Sequence, residues 1–187
     1  MITVRTADLT DIDAVLGVGR AAWRATFEPL AGAAYVEAGL ARWWTPEAVR
    51  ADIDAGRVLV AEDGDDVQGM ALMVAPAGGP GELRRLYVAP QQQGRGIGSA
   101  LLKAVATTTG ELELTVLEAN HHARRFYARH GFRPTGRRSD PHGGPPLLHM
   151  IRTAPKSNTP AAYTSLLQDR ENELANLERV LPRVTQR

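Results

Sequence analysis

The sequence predicts an α/β (α+β) fold: one domain built on a mixed, mostly antiparallel central sheet with helices on both faces. Three observations carry this. Val58–Glu62 and Val67–Ala75 are apolar-rich runs separated by Asp63-Gly64-Asp65-Asp66, an Asp-Gly hairpin turn. Residues 82–117 run strand, helix, strand, which implies a parallel crossover. The helical stretches around them carry their apolar residues on one side only, so each can pack on a sheet face.

The elements follow in order. Ile2–Arg5 alternates and reads as a first strand. Asp8-Leu9-Thr10-Asp11 offers N-cap chemistry. Ile12, Val15, Leu16, Gly19 and Trp23 then recur at helical spacing as far as about Arg24. Glu28-Pro29-Leu30-Ala31-Gly32 is expected to interrupt that helix, with a second one over Ala33–Ala41. Thr45-Pro46-Glu47 opens a short helix ending near Gly56. After the hairpin and a Pro/Gly-rich loop, Glu82–Val88 is a strand and Gln91–Gly98 a glycine-bearing loop. Ile97, Leu101, Leu102 and Val105 mark a helix that stops at Gly110. Leu112–Leu117 is a strand, Asn120 caps a helix through His130, and Gly131 terminates it. Phe132–Arg137 and Pro146–Ile151 are the last strands. This domain spans residues 1–152. Residues 153–160 read as a linker and 161–187 as a helical extension with Leu167, Leu174, Leu177 and Leu181 on one stripe.

Composition narrows the function. The chain has 187 residues, of which 43% are hydrophobic and 23% charged, the balance of a globular protein and not of a disordered one. A net charge of +1 gives no support to nucleic-acid binding by bulk charge. There is no cysteine, so disulfides, thiolate metal sites and a cysteine nucleophile are excluded. No apolar run approaches a membrane span, and a cytoplasmic location is the expectation. His121, His122, His130, His142 and His149 form no metal pattern, and no metal is expected.

The most informative stretch is Leu86-Tyr87-Val88-Ala89-Pro90-Gln91-Gln92-Gln93-Gly94-Arg95-Gly96-Ile97-Gly98-Ser99. A strand runs into a loop with three glycines in five residues, and a helix follows. A helix N-terminus presents unpaired N–H groups and positive dipole potential, and glycines let an anion come close to them. Arg95 adds a fixed positive charge. The stretch reads as a pyrophosphate site or as a tight turn that binds nothing. The Walker pattern is absent because no Gly-Lys-Ser/Thr follows. The dinucleotide fingerprint fails at Ser99, where its third glycine would stand, and Glu113 lies inside a strand instead of at its end.

Gln93-x-x-Gly96-x-Gly98 after Leu-Tyr-Val-x-Pro, followed by Asn120-x-x-Ala123-x-x-Phe126-Tyr127-x-x-x-Gly131-Phe132, resembles the paired motifs of the GNAT superfamily of acyltransferases over residues 2–152. The resemblance implies acetyl-CoA as co-substrate. Its pyrophosphate would sit on Gln93, Gly94, Arg95, Gly96, Gly98 and Ser99, and its pantetheine arm would lie along Leu86, Tyr87 and Val88. The resemblance also implies a bulge that splays this strand from the next, an N–H near Val88 polarising the thioester, and Asn120 touching the arm. Tyr127 would protonate the departing thiolate. Glu82 is the candidate base for the amine, or else a solvated strand-end glutamate. Tyr127 has its own bland alternative as a core ring beside Phe126.

The implied activity is N-acetyl transfer from acetyl-CoA directly to a primary amine of a small molecule. The alternatives are a protein or peptide acetyltransferase and a non-catalytic acyl-CoA-binding module. Six arginines at 124, 125, 129, 133, 137 and 138 form either a solvated face or a lure for coenzyme A phosphates. Trp23, Phe27, Tyr35, Trp43 and Trp44 are core or acceptor-pocket rings. The tail stripe permits a homodimer.

Overall fold

The structure, a computed structural model, describes residues 1–64, 66–75 and 79–153. The expected tail helix, and all of the expected linker but Thr153, lie outside the described residues.

Seven strands form one sheet in the order β1-β2-β3-β4-β5-β7-β6: β1 Ile2–Thr6, β2 Val58–Asp63, β3 Asp66–Val74, β4 Gly81–Val88, β5 Leu112–Leu117, β6 Arg133–Arg138 and β7 Leu147–Arg152. Every neighbouring pair is antiparallel except β4–β5. The fold class is therefore the expected mixed, mostly antiparallel α/β sheet.

The helices are α1 Ile12–Ala31, α2 Ala33–Trp43, α3 Pro46–Asp54, α4 Ile97–Thr108 and α5 His121–Arg129. On one face α4 and α5 close a core of Leu101, Leu102, Val105, Leu114, Tyr127 and Met150. On the other, α1–α3 cover β2–β4 through Val15, Trp23, Val36, Trp44, Val49 and Met70. Each fully buried aliphatic side chain of these sets contributes roughly 1.5–3 kcal/mol relative to exposure. Helices thus stand on both faces, as expected.

One expectation fails. Pro29 does not break the first helix; α1 runs through it to Ala31 and ends at Gly32, whose φ is +84°. Proline removes one N–H from the ladder but tolerates helical φ. Here it falls in the last turn, where only one bond is lost. The real stop is the left-handed φ that glycine accepts. The extra turns matter, because they place Phe27, Pro29 and Leu30 along one side of a cleft.

Two glycines set the spacing of α1 and α2. Trp44, fully buried, packs its ring onto Gly19, and Trp23 packs onto Gly39; a Cβ at either position would overlap the indole. Gly19→Ala is therefore expected to lower stability by about 1–3 kcal/mol through overpacking, even though alanine favours helix. Urea unfolding of the variant against the parent measures it, and an unchanged midpoint would refute the tight contact.

Candidate functional site

The site begins where two strands part. β4 and β5 share only two rungs, Gly81↔Leu112 and Glu82↔Glu113. On its other edge β4 follows β3, but the register shifts: Met73 faces Leu83 and Leu72 faces Arg85, so Arg84 is an extra residue. A bulge of this kind bends and twists its strand. Beyond Glu82, β4 diverges from β5, and alternate N–H and C=O groups of Arg84–Val88 turn toward a gap instead of a neighbour. The gap opens into a cleft of about 990 Å³.

One end of the cleft is the glycine loop. Pro90–Gln92 makes a single 3₁₀ turn, and Gly94 and Gly96 take φ of +80° and +88°. That conformation costs a residue with a Cβ about 1–2 kcal/mol. Gly96 is the N-cap of α4 and supplies no side chain to it; the first intrahelical bond is Ala100 N–H to Gly96 C=O, 3.0 Å. The amides of Ile97, Gly98 and Ser99 are therefore left without helical partners, at the positive end of the dipole. Nothing stands within 4 Å of the Cβ positions of Gly94 and Gly96, so the approach is open. At Gly98 a Cβ would stand 3.4 Å from Phe126 of α5, an ordinary van der Waals contact.

Leu86, Val88, Gln93, Gly94, Gly96, Gly98, Ser99, Asn120 and Tyr127 line this one cleft, with Tyr87 beside them. Arg95 does not. Its guanidinium pairs with Asp63 at 2.8 Å and with Gln92, so its charge is spent at the end of the β2–β3 hairpin. The charge expected to face the anion is absent from the cleft wall, and what the loop offers the cleft is its backbone. Among the six arginines of the later basic stretch, Arg129 lines the cleft, whereas Arg137 is paired with Glu118 at 2.6 Å.

Asn120 caps α5, its Oδ1 accepting from Ala123 N–H at 3.0 Å, which leaves its NH₂ group for another partner. Two turns on, Tyr127 is 9% exposed and packs edge-on to Phe126 and Phe132. Burial holds its phenol well above the ordinary value near 10, so it stays protonated across the neutral range. Glu82 stands at the closed apex, half-exposed, with Oε2 accepting from Arg84 Nε at 2.8 Å. Its register partner Glu113 is engaged with His149 at 3.1 Å, so Glu113 serves no ribose.

Two contributors, His130 and Asp140, are not among the residues the sequence singles out for the site; Tyr35 is, as a core or acceptor-pocket ring. His130, read only as the end of a helix, bridges α5 to α4: Nδ1 lies 2.8 Å from Phe126 C=O and Nε2 3.0 Å from Ser99 Oγ. With Nδ1 donating, Nε2 accepts the Ser99 hydroxyl and fixes that side chain beside the uncapped amides. Tyr35 and Asp140 meet at the other end of the cleft, 105 residues apart in the chain, where Tyr35 Oη donates to Asp140 Oδ2 at 2.8 Å. No sequence spacing encodes a contact between α2 and the β6–β7 loop. Trp23, Phe27, Tyr35 and Trp43 line that end, while Trp44 is core.

Gly96→Asp is expected to abolish coenzyme A binding, since it puts a Cβ at φ +88° and a negative charge among the open amides. Calorimetric titration with coenzyme A tests this, and parental affinity would mean that the loop holds no anion.

A family model described as an acetyltransferase (GNAT) domain matches residues 54–134. No curated protein matches the chain. Among solved structures, it is similar to the PaiA N-acetyltransferase of Thermoplasma acidophilum in complex with coenzyme A, at TM-score 0.72 and 21% identity over 82% of this chain and 99% of that one. It is also similar to the apo form of YjaB from Escherichia coli, at TM-score 0.64 and 25% identity over 83% and 99%. A third is the ribosomal-protein-S18-alanine N-acetyltransferase of Escherichia coli, at TM-score 0.61 and 19% identity over 84% and 98%.

Proposed function

The chain belongs to the GNAT superfamily of acyltransferases, and on that premise we propose that it moves the acetyl group of acetyl-CoA directly to a primary amine of a small molecule. The observation that carries the reading is the free edge of β4, which leads from the uncapped amides of α4 past Tyr127 to the aromatic end of the same cleft, a second chamber.

The residues fit the co-substrate. Amides of Gln93–Ser99 match a diphosphate, and the open side of Leu86–Val88 matches the amides of a pantetheine arm laid in as an extra strand. Bound there, acetyl-CoA supplies an activated acyl carbon on a thiolate leaving group. A backbone N–H near Val88 donates to the thioester oxygen, where negative charge builds as the amine attacks. One such donor is worth about 2.7–4 kcal/mol in a dry site.

The C–N bond forms and the C–S bond breaks; nitrogen gives up one proton and sulfur gains one. Tyr127, which lines the cleft, is assigned to the departing sulfur. Its raised pKa makes it a weak acid but a dependable hydrogen-bond donor, which suits holding a thiolate until the proton passes. An alkylammonium has a pKa near 10.4, so only about one amine in a few thousand is neutral at pH 7. Glu82 lines the cleft as the candidate acceptor for that proton, and it must turn from Arg84 to take it.

Release of free thiol, followed across a panel of small amines and peptides, tests the proposal. Saturable acetyl-CoA binding with no acceptor-dependent release would leave a binding module, and release with peptides alone would make this a protein acetyltransferase. Tyr127→Phe is expected to lower kcat about 10²-fold with little change in acetyl-CoA affinity. Because the Tyr127 phenol stays protonated beyond its ordinary value, parental kcat should show no loss on this residue's account up to about pH 10. A fall near neutrality that disappears in the phenylalanine variant would contradict that.

A further inference from the structure

The second chamber has a chemical gradient along it. Its inner end is β4, where Tyr87 stands in the strand that would hold the thioester arm. From there the wall is aromatic: the Trp23 ring lies 6.4 Å from Tyr87 and is stacked on Tyr35 at 5.9 Å, with Phe27 and Trp43 flanking it. At the outer end the Tyr35 hydroxyl meets Asp140. A carboxylate therefore stands two rings away from β4, at the far side of an apolar wall.

That carboxylate has only neutral partners. One oxygen accepts from Tyr35 Oη and the other from the backbone N–H of His142, each at 2.8 Å. Among the described residues no arginine or lysine lies within ion-pair distance of it. Arg42, on the same rim, meets His142 at 3.4 Å. Burial and the neighbouring anion keep the Tyr35 phenol above its usual range, so it remains a donor and does not share the charge. An unbalanced anion beside aromatic faces is an environment that recognises cations.

The nitrogen that attacks the thioester must be neutral and must sit at β4. It is not the group that Asp140 holds. Resting on the transfer reading above, we propose that the acceptor carries a second positive charge at neutral pH: a diamine whose apolar spacer lies on Trp23 and Tyr35, with its distal ammonium on Asp140. An acceptor with a carboxylate at that end, such as a free amino acid joined through its side-chain amine, is repelled. A monoamine can set its nitrogen at the thioester or on Asp140 but not at both, so it forgoes one of the two contacts.

Calorimetry with α,ω-diaminoalkanes of graded length, against n-alkylamines of the same carbon number, tests this on the coenzyme A-loaded protein. The parent should bind its best diamine at least about tenfold more tightly than the matched monoamine, as expected for a partly buried charge-assisted contact. The preference should peak at one spacer length and shrink as salt is raised. In Asp140→Asn the ratio should fall to near one, with coenzyme A binding by the same variant reporting that it is folded. Equal affinities in the parent, or a preference that survives both Asp140→Asn and salt, would overturn the proposal. Asp140-dependent diamine binding without thiol release would support this site while sinking the transfer reading.

Discussion

The parting of β4 from β5 after two rungs is the constraint on which the rest of the molecule depends. A continuous sheet would satisfy its own backbone and leave nothing for a ligand. Here the extra residue at Arg84 shifts the β3–β4 register, and the strand turns its hydrogen-bonding edge into open space. Everything with chemical potential is arranged around that edge: the amides of α4 at one end, Tyr127 alongside, and the aromatic chamber on the far side. The cost is a set of unpaired peptide groups, a deficit that a bound ligand can remove.

The electrostatics of the loop follow from geometry more than from charged side chains. The arginine within the glycine motif is committed to Asp63, so the positive potential comes from amide dipoles that the fold cannot misplace. The brace from His130 to Ser99 ties the helix that offers those amides to the helix that carries Tyr127.

Much of this was legible in the sequence. The seven strands, the single parallel pair and the position of the glycine loop follow from period, turn residues and motif spacing, because those signals are local. The wrong break at Pro29 arose because proline was read as a stop when its cost, near a helix end, is one hydrogen bond. The direction of Arg95 was not legible, since it depends on a hairpin turn some thirty residues earlier. Nor was the contact of Tyr35 with Asp140, two residues joined only when the β6–β7 loop folds across α2. Local grammar exposes what binds the family's shared co-substrate, whereas the acceptor end is assembled from distant pieces.

The bulge at Arg84 also has an evolutionary side. Strand faces alternate with every residue, so the side chains before and after the bulge keep their places only while one surplus residue stays between them. Substitutions along this segment can drift, each judged by its own fit. Loss of a single codon there would turn Leu86 and Tyr87 each to the opposite face of the sheet. Lineages of this protein should therefore differ freely in the letters of that strand and hardly ever in its length.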